Sequence, residues 1–301
     1  MSAMLTFFRD RISHTFGPHS FDWFSRAYLV DWLVSSLAWF IAWIIKELPP
    51  FEREFSLDDP LINHGHRKNQ ISGSLTWMIA LIVPLVFVFS FGLFKLSAIE
   101  VHHGALGLYT AGAFTALITE VLKNRVGRLR PDFLARCKWK EELQACSGSL
   151  DKVLDGRRSF PSGHSSTAFS GMTFLSLWLA GVTCAWCFSE AMPSRSLLSS
   201  RIARTCLTLF PMAFATWVAV SRVEDYRHHK EDVIVGSLIG IGTATVAYLV
   251  YFPNPFLSSK TPNANSTDTN RPRHVYRDEH EISRNSYDYE LAGVGHATES
   301  V

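Results

Sequence analysis

Apolar residues in this chain run in long stretches broken by short charged ones. A helix that crosses a bilayer needs about 20 mostly apolar residues. Six stretches approach that length: Ala27–Ile45, Leu75–Phe94, Gly104–Leu122, Ser165–Phe188, Cys206–Val220 and Val233–Phe252. The fifth is short and borrows from Ile202 at its start. Aromatic residues at the ends, among them Trp23, Phe24, Tyr251 and Phe252, fit interfacial belts. Pro84 and Pro211 fall inside spans, where kinks are tolerated if neighbouring helices satisfy the freed carbonyls. Gly236 and Gly240, four apart on the last span, permit a close helix contact. Six such runs exceed what a soluble core of 301 residues uses. The pattern predicts an all-α integral membrane protein.

The remaining segments are of other kinds. Residues 1–26 mix aromatic residues with charge and lack the apolar run and small-residue cleavage site of a secretory signal. They read as an interfacial segment before a six-span domain over 27–252. From 253 to 301 the chain turns to Ser, Thr, Asn, Pro and charge, the composition of a disordered tail. The loop from Glu47 to Gly73 holds Pro49-Pro50 and charged residues and lies outside the membrane. No internal repeat is present.

Composition adds little by itself, with a net charge of +2 and a mean hydropathy of +0.09. The distribution of charge says more. Ten Lys/Arg stand against five Asp/Glu between Lys123 and Arg158. A basic loop ordinarily marks the cytoplasmic side, yet the same charges could bind an anionic head group. A loop pinned to a bilayer at both ends favours lipid phosphate over nucleic acid. Cys184, Cys187 and Cys206 read as small apolar residues in or near spans. Cys137 and Cys146 share the basic loop: a disulfide if it faces an oxidising lumen, free thiols if it faces cytosol.

Three polar islands abut the apolar runs: Lys123 to Arg130-Pro131, Pro161-Ser162-Gly163-His164, and Ser221-Arg222 through His228 to Asp232. They follow the third span, precede the fourth and lie between the fifth and sixth. With an even number of spans, all three emerge on one face, opposite both termini. Charged groups at the ends of membrane segments are costly unless they act on something.

Each island has a chemistry of its own. Lys123 and Arg130 lie near one helical face, with Gly127 and Pro131 fraying the helix between them; an ammonium and a forked guanidinium can engage different oxygens of one phosphate. Gly163 at a helix start exposes backbone N–H groups toward an anion. Ser162 adds a hydroxyl donor, and His164 is placed to protonate a leaving alkoxide. His228 and Asp232, four apart, share a helix face. A carboxylate on one ring nitrogen fixes the tautomer and frees the other nitrogen to attack. Arg222 can clamp the same phosphate. His229, three residues from Asp232, competes by position but is directed elsewhere.

The three strings resemble the Kx6RP, PSGH and SRx5Hx3D signature of the type 2 phosphatidic acid phosphatase superfamily, with no position missing. Through VGRLRPDFLARC, DGRRSFPSGHSS and SRVEDYRHH the chain is similar to the eukaryotic lipid phosphate phosphatase branch, particularly the fungal diacylglycerol pyrophosphate phosphatase type. The resemblance covers about Lys46 to Pro253. It implies a six-transmembrane-helix bundle of the phosphatase/haloperoxidase kind, a membrane lipid phosphate as substrate, and no metal or other cofactor. It implies His228 as a nucleophile forming a phosphohistidine, Asp232 orienting it and His164 as proton donor. Lys123, Arg130, Arg222, Ser162 and the Gly163 amide would bind phosphate. It further implies cytoplasmic termini and a lumenal or outer site, so that Asn265-Ser266-Thr267, a glycosylation pattern, stays unmodified. His64, His66, His102 and His103 have no place in the motif and read as interfacial or loop residues. The alternatives are an isoprenoid diphosphate, sphingoid phosphate or sugar phosphate phosphatase, a vanadium haloperoxidase, or a non-catalytic relative that binds lipid phosphate.

Overall fold

The structure, a computed structural model, describes residues 24–187 and 200–256. The expected interfacial segment up to residue 23 lies outside them, as do the tail from 257 onward and the Asn265 pattern. Helices dominate. In chain order they are α1 (Arg26–Glu47), α2 (Gly73–Phe94), α3 (Ala98–Val126), α4 (Phe133–Cys137), α5 (Leu150–Gly156), α6 (Gly163–Thr183), α7 (Arg201–Glu224) and α8 (Lys230–Tyr251). Between α4 and α5 sits a two-stranded antiparallel hairpin, β1 (Trp139–Lys140) with β2 (Ala145–Cys146), in which Trp139 pairs with Cys146.

Five of these helices, α1, α2, α3, α7 and α8, are long and apolar enough to cross a membrane. The fourth expected span falls on α6, which is 21 residues long and carries no Asp, Glu, Lys or Arg. It stays less hydropathic because it faces protein rather than lipid. Fourteen of its residues are buried, so serine, threonine and glycine replace the large aliphatics that a lipid-facing helix needs. It packs against α2, α3, α7 and α8. Its left-handed C-cap Cys184 (φ 47°) ends it short of the expected Phe188, which lies outside the described residues.

Hydroxyls make the close seams around α6. Thr115 of α3 bonds Ser170 at 3.0 Å and also Thr243 of α8, and Thr119 donates to Ser166 at 3.0 Å. Where lipid supplies no hydrophobic drive between helices, small residues and such bonds hold them together. The Gly236 and Gly240 pair belongs to this packing. A Cβ on Gly240 would lie 2.3 Å from the Ser166 carbonyl oxygen, and one on Gly236 2.5 Å from that of Ser162. Side chains at either position would push α8 off the start of α6.

The helices depart from the sequence pattern in several places. Helix α3 runs beyond Gly104–Leu122 at both ends, and its first turns carry Glu100, His102 and His103. His103 is fully buried and bonds the Tyr28 hydroxyl through Nε2 at 2.8 Å, so it is a bundle residue and not a loop one. His102 accepts from Trp32 Nε1 at 3.1 Å. These bonds satisfy Nε2 of both rings within the bundle. Helix α7 starts at Arg201, earlier than expected, and runs to Glu224; both it and α2 continue through their prolines.

The connections on the other face pack as a small satellite. Ile62, Leu129, Phe133, Cys137 and Val153 form its core, and Cys137 and Cys146 are joined by a disulfide. The first loop is tied to it by backbone bonds from His64 N to the Pro131 carbonyl (2.9 Å) and from Leu134 N to the Ile62 carbonyl (3.1 Å).

Candidate active site

All three polar islands meet on this face. Helix α3 stops at Val126 because Gly127 adopts a left-handed conformation (φ 57°), and a Cβ there would strike the Phe51 carbonyl oxygen at 2.0 Å. Lys123 therefore stays on the last helical turn, while Arg130 lies on the non-helical segment beyond it. Lys123 Nζ donates to Glu120 at 2.7 Å. A Cβ on Gly163 would sit 2.8 Å from that nitrogen, so the ammonium stands over the start of α6. Arg130 is held by one residue: Nε donates to the Asp155 carbonyl at 2.9 Å and Nη2 to the Asp155 carboxylate at 2.7 Å. Burial alone would raise the Asp155 carboxyl, but Arg130, Arg136 and Lys123 outweigh it and bring it down to about 2.

Ser162 caps α6. Its Oγ accepts from the Ser165 amide at 3.4 Å and from the Ser165 hydroxyl at 3.0 Å, while its own amide donates to the Asp232 carbonyl at 2.9 Å. That last bond ties the second island to the third. His164 follows, one residue into α6. Its Nε2 is buried without a hydrogen-bond partner among the described residues, 3.6 Å from where a Cβ on Gly73 would stand. The positive charges of Arg222, Arg130 and Lys123 all reach it.

The third island turns at Tyr226 (φ 51°) between α7 and α8. Arg222 is fully buried; its Nη2 donates to Asp225 and to Ser221 Oγ, both at 3.0 Å, and its Nη1 to Asn69 of the first loop at 3.4 Å. His228 is 3% exposed. Its Nδ1 bonds the Ser159 carbonyl oxygen at 2.7 Å, and since a carbonyl only accepts, Nδ1 carries the proton and Nε2 the lone pair.

That partner differs from the expected one. Asp232 stands 3.8 Å from His228 Nδ1, an electrostatic neighbour too distant for a hydrogen bond. Its carboxylate instead accepts from the Ser159 hydroxyl, from Arg128 Nη1 at 2.8 Å and from the His229 amide at 3.0 Å. Ser159 thus stands between the two, donating to the carboxylate and accepting from the imidazole. His229 turns its Nε2 onto the Leu129 carbonyl at 3.1 Å, which occupies the competing ring.

Burial drives the His228 imidazole down to about 4, against the pull of Asp232 and with the help of Arg130 and Lys123. The ring is therefore neutral at neutral pH, with its lone pair on Nε2. The sign gives a prediction: kcat/KM, which reports the free enzyme, stays level as pH falls to about 5 and drops as His228 protonates near 4. A pH–rate profile checks it; an acid limb centred near 6.5 would mean an ordinary, exposed histidine.

Ser159, Arg128, Asp155 and Asn69 escaped the sequence reading. Arg128 had a signal, as a third cation inside the Lys123–Arg130 spacer. Ser159 acts on His228 through a main-chain carbonyl, which no side-chain pattern records.

Helices long and apolar enough to cross a membrane fit a multi-pass integral membrane protein, with buried histidines and arginines gathered at one end of them. The chain belongs to the PAP2 superfamily, whose model matches residues 104–256. It is 34% identical over 256 residues to lipid phosphate phosphatase 2 of Arabidopsis thaliana, covering 81% of this chain and 83% of that one. It is 37% identical over 229 residues to a probable diacylglycerol pyrophosphate phosphatase 1 of Schizosaccharomyces pombe, covering 72% and 78%. Diacylglycerol pyrophosphate phosphatase 1 of Saccharomyces cerevisiae is 32% identical over 219 residues, covering 68% and 72%. No solved structure matches.

Proposed function

We propose that this protein is a Mg2+-independent lipid phosphate phosphatase acting on phosphatidate and diacylglycerol pyrophosphate through a phosphohistidine. His228 Nε2 attacks phosphorus in line, the bond to the leaving oxygen breaks, and His164 protonates that oxygen. Diacylglycerol leaves from phosphatidate, and phosphatidate leaves from the pyrophosphate. Water deprotonated by His164 then attacks the phosphohistidine, releasing phosphate and restoring neutral His228. Lys123, Arg130, Arg222, the Ser162 hydroxyl and the Gly163 amide hold the equatorial oxygens, where charge builds in the transition state. Asp232 stabilises the charge on His228 from 3.8 Å and sets its geometry through Ser159. The observation that carries this reading is a buried His228 with Nδ1 occupied and Nε2 left to act.

The named activities of the relatives favour these lipids over isoprenoid diphosphates or sphingoid phosphates. The test is hydrolysis by purified protein in EDTA of phosphatidate, diacylglycerol pyrophosphate, sphingosine phosphate and an isoprenoid diphosphate. Turnover of the first two at least tenfold faster is expected; activity that disappears with EDTA sinks the proposal.

The orientation we propose places six spans, with α6 among them, cytoplasmic termini and the site on the lumenal or outer side. The Cys137–Cys146 disulfide supports it, since such bonds persist in oxidising compartments. In sealed vesicles of cytoplasm-out orientation, these cysteines should resist an impermeant thiol reagent after reduction until the membrane is opened; labelling of intact vesicles would reverse the topology.

A further inference from the structure

Asp132 directly follows the first island yet has no part in its signature. It is fully buried among two guanidinium groups and an imidazole. One carboxylate oxygen accepts from Arg136 Nε at 2.9 Å. The other meets His66 Nδ1 at 2.7 Å and lies 3.5 Å from Arg227 Nη1. Each contact leads to a different part of the machinery. Arg136 passes its Nη1 to Asp155 at 2.6 Å, and Asp155 grips Arg130. Arg227 precedes His228 in the chain and donates Nη2 to the Arg67 carbonyl at 2.7 Å. His66 and Arg67 belong to the first loop, which also reaches Arg222 through Asn69.

From this connectivity we infer that Asp132 is a positioning residue for phosphoryl transfer, locking Arg130, the His228 turn and the first loop into one rigid frame. The inference rests on the catalytic reading proposed above. Asp132 touches no reacting atom; it acts through Arg136 and Asp155 on one side and Arg227 on the other. The cluster is short of negative charge. Arg136 Nη2 and Arg227 Nε are buried without hydrogen-bond partners among the described residues. Removing the carboxylate therefore leaves buried guanidinium groups facing one another, and they must move apart. Arg130 and His228 would move with them. A displacement of about 1 Å at a reacting centre is enough to cost on the order of 100-fold in rate.

The effect should fall on the transition state. Orthovanadate adopts the five-coordinate geometry of phosphorus in transfer and so reads transition-state complementarity. Its inhibition constant does not depend on how much of a preparation is folded, whereas kcat does. Full-length wild type, Asp132→Asn and Arg136→Lys are to be purified and assayed on phosphatidate in mixed micelles, with orthovanadate as competitor. Arg136→Lys is the second probe because one ammonium cannot span both Asp132 and Asp155.

In both variants kcat/KM is expected to fall by about 10- to 100-fold, up to the loss that a displacement of about 1 Å brings. The vanadate inhibition constant should rise by a comparable factor, while KM moves by less than about threefold. If Asp132→Asn yields no folded protein, Arg136→Lys decides alone. A vanadate constant within twofold of wild type in the folded variants, whatever happens to kcat, makes Asp132 structural only and overturns the inference. Wild type inactive on phosphatidate and indifferent to vanadate overturns the catalytic reading instead, and this inference with it.

Discussion

Replacing His228 with asparagine is expected to abolish phosphate release, with a loss on the order of 10^4-fold or more, the scale of removing a catalytic nucleophile. Asparagine is chosen because its amide N–H can still donate to the Ser159 carbonyl and its smaller volume leaves little strain. Folding should survive, so extraction from membranes and thermal stability in detergent should stay close to wild type. His229→Asn is the paired control. His229 Nε2 is spent on the Leu129 carbonyl, so that change should cost less than about tenfold. Should the two variants lose activity equally, the assignment of the nucleophile is wrong.

The second large effect is expected at Asp232. Its carboxylate accepts from three directions: the Ser159 hydroxyl, Arg128 and the His229 amide. An amide offers one accepting oxygen, and its NH2 must then face a donor. Asp232→Asn should lower kcat by about 10^2- to 10^3-fold, or about 3–4 kcal/mol of activation free energy. Ser159→Ala removes only the hydroxyl and keeps the carbonyl that holds His228. Its expected cost is under tenfold, near the ~1 kcal/mol of one hydrogen bond. The contrast distinguishes two routes by which the carboxylate can act. An effect at Ser159 as large as that at Asp232 would mean that the acid works only through the serine. Asp232→Asn retaining half of wild-type kcat would remove it from catalysis.

Much of the fold could be read from hydrophobic spacing, because lipid-facing helices must be apolar over a fixed length. The boundaries erred where that rule weakens. Helix α6 is enclosed by protein, so its composition relaxed toward small and hydroxylated residues, and α3 extends through histidines that the bundle buries and pairs. Of the proposed site, Lys123, Arg130, His164, Arg222, His228 and Asp232 can be picked out in the sequence, since fixed spacings and a common place at the ends of apolar runs tie them together. What stayed hidden was support. The Ser159 carbonyl on His228, Asp155 gripping Arg130 and Arg128 on Asp232 join residues 25 to 104 positions apart or act through main chain. No local pattern encodes such contacts. The direct His228–Asp232 bond expected from i,i+4 spacing gave way because the turn at Tyr226 and the N-terminus of α8 set His228 off the helix, facing Ser159.

Covalent chemistry at His228 is tested most directly by measuring the intermediate itself. Protein mixed with phosphatidate carrying labelled phosphate and quenched within milliseconds should retain label that withstands alkali and is released by acid, as a phosphoramidate is. Peptide mass spectrometry should place it on His228, and His228→Asn should trap none. Label on another residue, or full turnover with no trapped label under conditions that favour its accumulation, would contradict the phosphohistidine route.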